Sequence, residues 1–243
     1  MSNYKPSFLN TIPPIVKNLI AVNIILLLAT SVLPTIFYRF GFNVDLNDIL
    51  GMHYWESSKF NPVQLVTYAF MHGGFFHLLF NMFGLYMFGG VLEHVWGSKR
   101  FLIYYLVTAV GAALVQQLFW SIEYHSAITA INQAISTDAL NAPALIEQKR
   151  AFFDNPNFIT IGASGSIFGL LLAFGWLFPE ERLFLMFIPV PIKARIFVVI
   201  YGVVELFQGV ANFSGDNVAH FAHLGGMLFG AILIILWRKK LRF

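Results

Sequence analysis

Three short runs hold the residues of this chain best suited to chemistry: His72, His77 and Asn81; Gly162-Ala163-Ser164-Gly165-Ser166; and His220 with His223. A serine hydroxyl is a weak nucleophile at neutral pH and needs a base within hydrogen-bond reach, which an imidazole supplies. Such a pair performs acyl transfer when hydrogen-bond donors stand ready for the oxyanion that develops. His77 and Asn81 are four residues apart and share a helix face, and imidazole and amide N–H groups are both donors. The backbone N–H of Ser164 is a third donor if a helix starts there, because the first turn of a helix has N–H groups without intrahelical partners. Histidines in this number also raise the question of a metal. No HExxH run is present, and no Asp, Glu or Cys stands beside these histidines at ligand spacing. The expectation is therefore no metal and no cofactor.

The elements that must position these residues follow from composition. Of the 243 residues 58% are hydrophobic and 11% are charged, against roughly 25% charged in soluble domains. A soluble fold of this length could not hide so much apolar surface, so the chain reads as an integral membrane protein of the all-α class. Cysteine is absent, which removes disulfides, thiolate metal sites and a Cys nucleophile. The net charge of +3 offers no basic surface for nucleic acid.

A helical span needs about 20 mainly apolar residues. The pattern predicts six: Leu19 to Tyr38, Leu65 to Phe88, Phe101 to Trp120, Ile161 to Phe178, Ile196 to Val210 and Val218 to Trp237. The fourth is short and rich in Gly and Ser, which suits a central helix packed among the others. Residues 1–18 then form a short N-terminal segment, 19–237 the membrane domain and 238–243 a basic tail. Eleven Lys and Arg residues fall on the side holding both termini and four on the other, so both termini are expected in the cytoplasm. A bacterial cell membrane is the expected location.

Two long outer loops remain, at about 39–64 and 121–160. Met52, Tyr54, Trp55 and Phe60 of the first are expected to dip into the membrane interface. In the second, Ile128, Ile131 and Ile135 have helical spacing, and Pro143 interrupts one amphipathic helix or separates two.

Each candidate residue alone has a plainer reading. Serines in membrane helices bond back to the i−4 carbonyl, histidines near a span's end are often wet interfacial residues, and glycines in a span usually serve packing. Against this, the orientation brings all three runs to one level near the outer face. Gly165 with Gly169 and Gly226 with Gly230 form two matched GxxxG steps, which favour a close crossing of the fourth and sixth spans and hold Ser164 against His223. An acidic third member is not evident. Asp216 lies in a loop, and Glu205, mid-span on the fifth helix, reads as a buried interhelical polar group. The expectation is a dyad of Ser164 and His223.

These runs resemble the rhomboid family. His72-Gly-Gly-Phe-Phe-His77-Leu-Leu-Phe-Asn81 follows HxxxxHxxxN, Gly162-Ala-Ser164-Gly165 follows GxSG, and Ala222-His223-Leu-Gly-Gly226-Met-Leu-Phe-Gly230 follows AHxxGxxxG. The similarity extends over roughly Gln64 to Trp237, and Glu93, Gly97 and Gln116 also look like family positions. The resemblance implies a serine protease that cuts within or beside transmembrane segments of other proteins. Ser164 would attack, His223 would act as base and then acid, and His77, Asn81 and the Ser164 N–H would form the oxyanion hole. Gly162 would let the chain turn closely before the nucleophile, and His72 would support the site. No cofactor is implied, and the expected partners are membrane-protein substrates and the lipid bilayer.

Two departures stand out. Phe168 occupies a position where the family often has Tyr, keeping the stacking on His223 and losing the hydroxyl. The first outer loop lacks the family's Trp-Arg pair. His220 lacks the glycines that follow His223 and is expected to be a neighbour that hydrates or orients the site. The competing expectations are an inactive rhomboid-like protein that binds membrane clients, and a transporter with a histidine proton relay, for which the repeat pattern is missing.

Overall fold

A chain in lipid must satisfy its backbone hydrogen bonds internally, and the computed structural model is helical at almost every apolar stretch. It describes residues 12–138, 140–155, 158–185, 188–211 and 218–240. In chain order the elements are α1 (Pro14–Arg39), α2 (Leu46–Leu50), β1 (Met52–His53), α3 (Gln64–Thr67), α4 (Phe75–Trp96), α5 (Ser98–Glu123), α6 (His125–Thr137), α7 (Ala142–Phe153), β2 (Ile159–Thr160), α8 (Ser164–Leu177), β3 (Arg182–Leu185), β4 (Ile188–Lys193), α9 (Ala194–Ala211) and α10 (His220–Lys240). Five of them, α1, α4, α5, α9 and α10, are long and apolar enough to cross a membrane, and α8 is a shorter apolar helix of 14 residues.

α8 is the centre of the bundle. It is hydrophobic on every side, the pattern of a helix enclosed by others, and Gly165, Ser166, Gly169, Leu170, Ala173 and Phe174 are buried. α5 and α10 flank it, with α9 and the middle of α4 completing the enclosure. Small residues set the approach. A Cβ on Gly226 would collide with the Gly165 carbonyl, and one on Gly169 would come within 2.7 Å of Thr108 Cγ2 and 3.1 Å of the Gly226 carbonyl. The Tyr104 hydroxyl donates to the Gly169 carbonyl at 2.8 Å and the Ser166 hydroxyl to the Tyr105 carbonyl at 2.9 Å, so α5 is tied to α8 along its buried face. Exposed Ile25, Leu28 and Val32 of α1 and Val199, Val203 and Phe207 of α9 form outer faces suited to lipid contact.

The second span departs from the expected continuous helix. It divides into α3, a 3-10 turn at Tyr68–Phe70, a break over Met71–Gly74, and α4. The Gly73-Gly74 pair supplies the break, since glycine is the least committed to helix of ordinary residues. α4 widens into a π turn over Leu85–Gly89. The break lets α4 start at Phe75, which places His77 in its first turn.

The first outer loop also differs from expectation. Met52 and Tyr54 are core residues at 0% and 1% exposure, Phe60 is half-buried, and Trp55 is exposed. β1 pairs antiparallel with β2, Met52 opposite Thr160 and His53 opposite Ile159. Gln64 gathers the loop: its carbonyl accepts from the His53 and Asn61 N–H groups, and its amide donates to the Ile49 and Lys59 carbonyls. Gln117 of α5 accepts from the Trp55 N–H at 3.0 Å and donates to the His53 carbonyl at 2.7 Å. These side chains satisfy backbone that would otherwise be buried unpaired, and the loop becomes a plug fixed to the strand that precedes Ser164. The second outer loop is two helices, α6 and α7, with Pro143 in the first turn of α7, where its missing N–H is no loss.

Candidate active site

Three residues carry the chain from β2 into α8, and the turn they make depends on glycine at position 162. The Gly162 N–H donates to the Tyr68 carbonyl at 2.9 Å, and Gly162 has φ of 130°, a region L side chains rarely occupy. A Cβ there would lie 2.7 Å from His77 Nε2. The turn ends in Ser164, the first residue of α8, rather than at Ile161, where the apolar stretch begins. The Ser164 N–H therefore belongs to a helix's first turn and has no intrahelical acceptor.

His223 lies in the first turn of α10. Its Nε2 is 2.7 Å from Ser164 Oγ, across the glycine crossing of α8 and α10. The Phe168 ring stacks on the imidazole, centroids 4.2 Å apart and planes 5° from parallel. His223 thus has one ring face covered by an apolar wall, as the sequence implied.

The other edge of His223 holds what the sequence reading missed. Nδ1 is 2.8 Å from Glu205 Oε2, and the same oxygen is 2.7 Å from His220 Nδ1. Glu205, His220 and His223 are each 7% exposed. Beside the expected pair of Ser164 and His223, an acid from α9 sits behind the histidine. The available signal was that Glu205 is an acid in an apolar span, and such a group is nearly always paired. Its partners lie on another helix, so sequence distance did not reveal them. His220 is a direct partner of that carboxylate. Asp216 lies outside the described residues.

The cluster also offers three ligand atoms within 4.8 Å of one another. Two ligands of a tetrahedral zinc, each about 2.0–2.1 Å from the metal, stand about 3.3 Å apart. The 2.7 and 2.8 Å separations are shorter and match N–H···O bonds. A carboxylate accepting two imidazole protons accounts for them. With Nδ1 protonated, the neutral His223 ring has its lone pair on Nε2, and Ser164 Oγ–H donates to it.

His77 and Asn81 face the same site from α4. The Gly73 N–H donates to His77 Nδ1 at 3.3 Å, which leaves the proton of the neutral ring on Nε2, next to Gly162. Asn81 is one turn further along, 6% exposed. His72, 1% exposed, packs its ring against His77 with centroids 5.0 Å apart. His77, Asn81, Gln116, Trp120, Ser164 and His223 all line one cavity of about 660 Å³. The arrangement combines a hydroxyl, an imidazole oriented to receive its proton, and N–H donors lining the same cavity.

Comparison with known proteins gives a consistent picture. The Rhomboid domain family matches residues 59–240. The chain is 30% identical over 196 residues to RHOMBOID-like protein 12, mitochondrial, of Arabidopsis thaliana, covering 79% of this chain and 50% of the relative. It is 27% identical over 172 residues to Rhomboid protein 1, mitochondrial, of Saccharomyces cerevisiae, covering 71% and 41%. A shorter match, 26% over 92 residues, is to Rhomboid protease GlpG of Haemophilus influenzae, covering 38% and 48%. The chain spans about half the length of these relatives. The mitochondrial names of the first two lend no support to the expected bacterial cell membrane; an integral, multi-pass membrane protein is what holds.

Proposed function

This chain is a member of the rhomboid family, and from that premise we propose that it is a serine endopeptidase cutting transmembrane segments of other membrane proteins within or next to the bilayer. The observation that carries the proposal is the 2.7 Å contact between Ser164 Oγ and His223 Nε2 in a cavity that also presents His77 and Asn81. Ser164 Oγ attacks the scissile carbonyl as His223 Nε2 takes its proton. The oxyanion is met by the Ser164 N–H, His77 Nε2–H and the Asn81 amide. His223 then gives the proton to the leaving amine, and water repeats the sequence to release the acyl group.

Depth supports the membrane location of this chemistry. At 1.5 Å per residue, the 14 residues of α8 cover about 21 Å of a hydrocarbon core of about 30 Å. Ser164 therefore starts its helix below the membrane surface if the other end of α8 reaches the opposite boundary. Irregular backbone such as Ile161 to Ala163 is tolerated at such depth only beside a polar cavity or within protein. The excess of Lys and Arg on the side holding both termini orients those termini to the cytoplasm or its topological equivalent.

The alternative is a rhomboid-like protein that binds clients without cutting them. One experiment separates the two. Purified protein in liposomes, incubated with a single-span substrate, is expected to cleave it, with Ser164→Ala and His223→Ala folded and inactive and a fluorophosphonate labelling Ser164. Cleavage by Ser164→Ala at the wild-type rate would refute the serine mechanism, and no cleavage or labelling by the wild type would favour the client-binding reading.

A further inference from the structure

We infer that Glu205 is a third, positioning member of the catalytic group, holding His223 in the tautomer that accepts the Ser164 proton, and that His220 holds Glu205 in turn. This rests on the serine-protease reading and extends it beyond a two-residue device. An ionised carboxylate offers only acceptors, and an imidazole that gives it Nδ1–H keeps its lone pair on Nε2. Oε2 of Glu205 meets the Nδ1 atoms of both His220 and His223, at 2.7 and 2.8 Å. Both rings are thereby set to the same tautomer by one oxygen. Only His223 then turns its Nε2 to Ser164 Oγ, at 2.7 Å.

During acyl transfer the Ser164 proton passes to His223 Nε2 as the Oγ–carbon bond forms. The Nδ1 proton stays on the ring and the carboxylate stays unprotonated, so the new imidazolium sits against a fixed negative charge. This is the part the acid plays in a Ser-His-Asp arrangement, with a glutamate supplied here by a neighbouring membrane helix. The second histidine answers a problem of the location. A long Glu side chain with one partner could rotate away from His223. His220, three residues earlier on the same helix, donates to the same oxygen and pins the carboxylate between two rings whose planes are 87° apart. Phe168 stacked on one face of His223 limits the ring's own rotation.

A purely structural role, tying α9 to α10, makes a different prediction. Loss of a tie would loosen α9 and change how substrate is admitted, altering KM. Loss of the positioning charge lowers kcat and leaves KM alone. The experiment compares full-length wild type, Glu205→Gln, Glu205→Asp and Ser164→Ala in liposomes, with selectively ¹⁵N-labelled histidine read by NMR. In wild type His223 is expected protonated at Nδ1 and bare at Nε2. Glu205→Gln is expected to lose roughly 10²-fold or more in kcat, with KM within about twofold and the His223 tautomer mixture shifted toward Nε2–H. Glu205→Asp, which keeps the charge, is expected to recover part of the loss. Wild-type kcat in Glu205→Gln, or an effect confined to KM, would overturn the inference. So would a wild-type spectrum with the proton on Nε2, a reading that needs no variant to fold. An active Ser164→Ala would overturn the underlying protease reading instead; an inactive Ser164→Ala beside a fully active Glu205→Gln would overturn this inference alone.

Discussion

Asn81 and His77 illustrate how little freedom individual residues have at this site. His77 receives the Gly73 N–H on Nδ1, so its remaining proton points at the serine turn, and Asn81 lines the same cavity as Ser164 and His223. If Asn81 acts on the oxyanion, its contact strengthens only as charge develops. Removing one such donor typically lowers turnover by about 10²–10³; with two further donors present, Asn81→Ala is expected to lower kcat by about tenfold or more and to leave KM nearly unchanged. Steady-state kinetics on a single-span substrate checks this, and a change in KM alone would make Asn81 a substrate contact. Gly162 is constrained by both backbone and space, so Gly162→Ala is expected to displace His77 and reduce cleavage at least as much as losing the His77 donor.

Among the elements, α1 and the α4–α5 connection are joined by a single carboxylate. Glu93 accepts the Ile15 and Val16 N–H groups at 3.0 and 2.8 Å and the Ser98 hydroxyl at 2.6 Å, at 2% exposure. It caps the start of α1, where N–H groups lack partners and the helix dipole favours negative charge. Glu93→Ala would leave buried donors unpaired and is expected to destabilise the fold by about 2–3 kcal/mol, measured as a lower unfolding midpoint in mixed detergent; no change would show that water replaces the cap. At the outer surface Asp154, following α7, accepts from the Ser57 and Ser58 hydroxyls and the Ser58 N–H. Partial burial pushes its carboxyl upward, but these bonds and nearby Lys59 outweigh that and hold it below the usual value. A folded value below the unfolded one, about 3.9, means that the clamp contributes fully above that pH and is lost as pH falls through the folded value. The hydrogen-exchange protection factors of α7, corrected for the intrinsic pH dependence of exchange, are therefore expected to be steady through neutral pH and to fall below about pH 4, with Asp154→Asn showing lower protection already at neutral pH. Equal exchange in the two proteins at pH 7 would show that the clamp does not hold this element.

For the whole molecule, selectivity follows from enclosure. α8 is surrounded, while α9 has most of its surface exposed and few buried residues, Glu205 among them. On the proposed protease reading, a transmembrane substrate reaches Ser164 past α9 or the outer loops, and it arrives unwound, because a helix satisfies its own backbone and presents no accessible carbonyl. Substrates are therefore expected to be single-span proteins with Gly or Pro near the outer membrane boundary and a small residue before the cut. Replacing those Gly and Pro residues with Leu, with the cleavage site unchanged, is expected to slow cleavage substantially. Equal rates across such a series would mean that local unwinding does not limit the reaction.

Much of this was legible before any coordinates. Apolar runs and helix length are local properties, so the other helical stretches emerged with ends shifted by a few residues, while the second span broke at Met71–Gly74 and its long helix ran on to Trp96; Pro143 marked the division of α6 from α7. Ser164, His77, Asn81 and His223 stood out because each is a polar residue in an apolar setting at a spacing that recurs in a known family. Tertiary structure decided what depends on the angle between elements. Met52 and Tyr54 turned inward because Gln64 and Gln117 satisfy the backbone of their loop, which no reading of the loop alone contains. Ser164 begins its helix because the Gly162 turn binds to the Tyr68 carbonyl, nearly a hundred residues away. Glu205 read as a buried interhelical polar group, but its partners could not be named because they are 15 and 18 residues further on, across a helix boundary. Only the packing of α9 on α10 aims its carboxylate at both histidines, since the direction in which a side chain leaves a helix acquires meaning only once the neighbouring helix is in place.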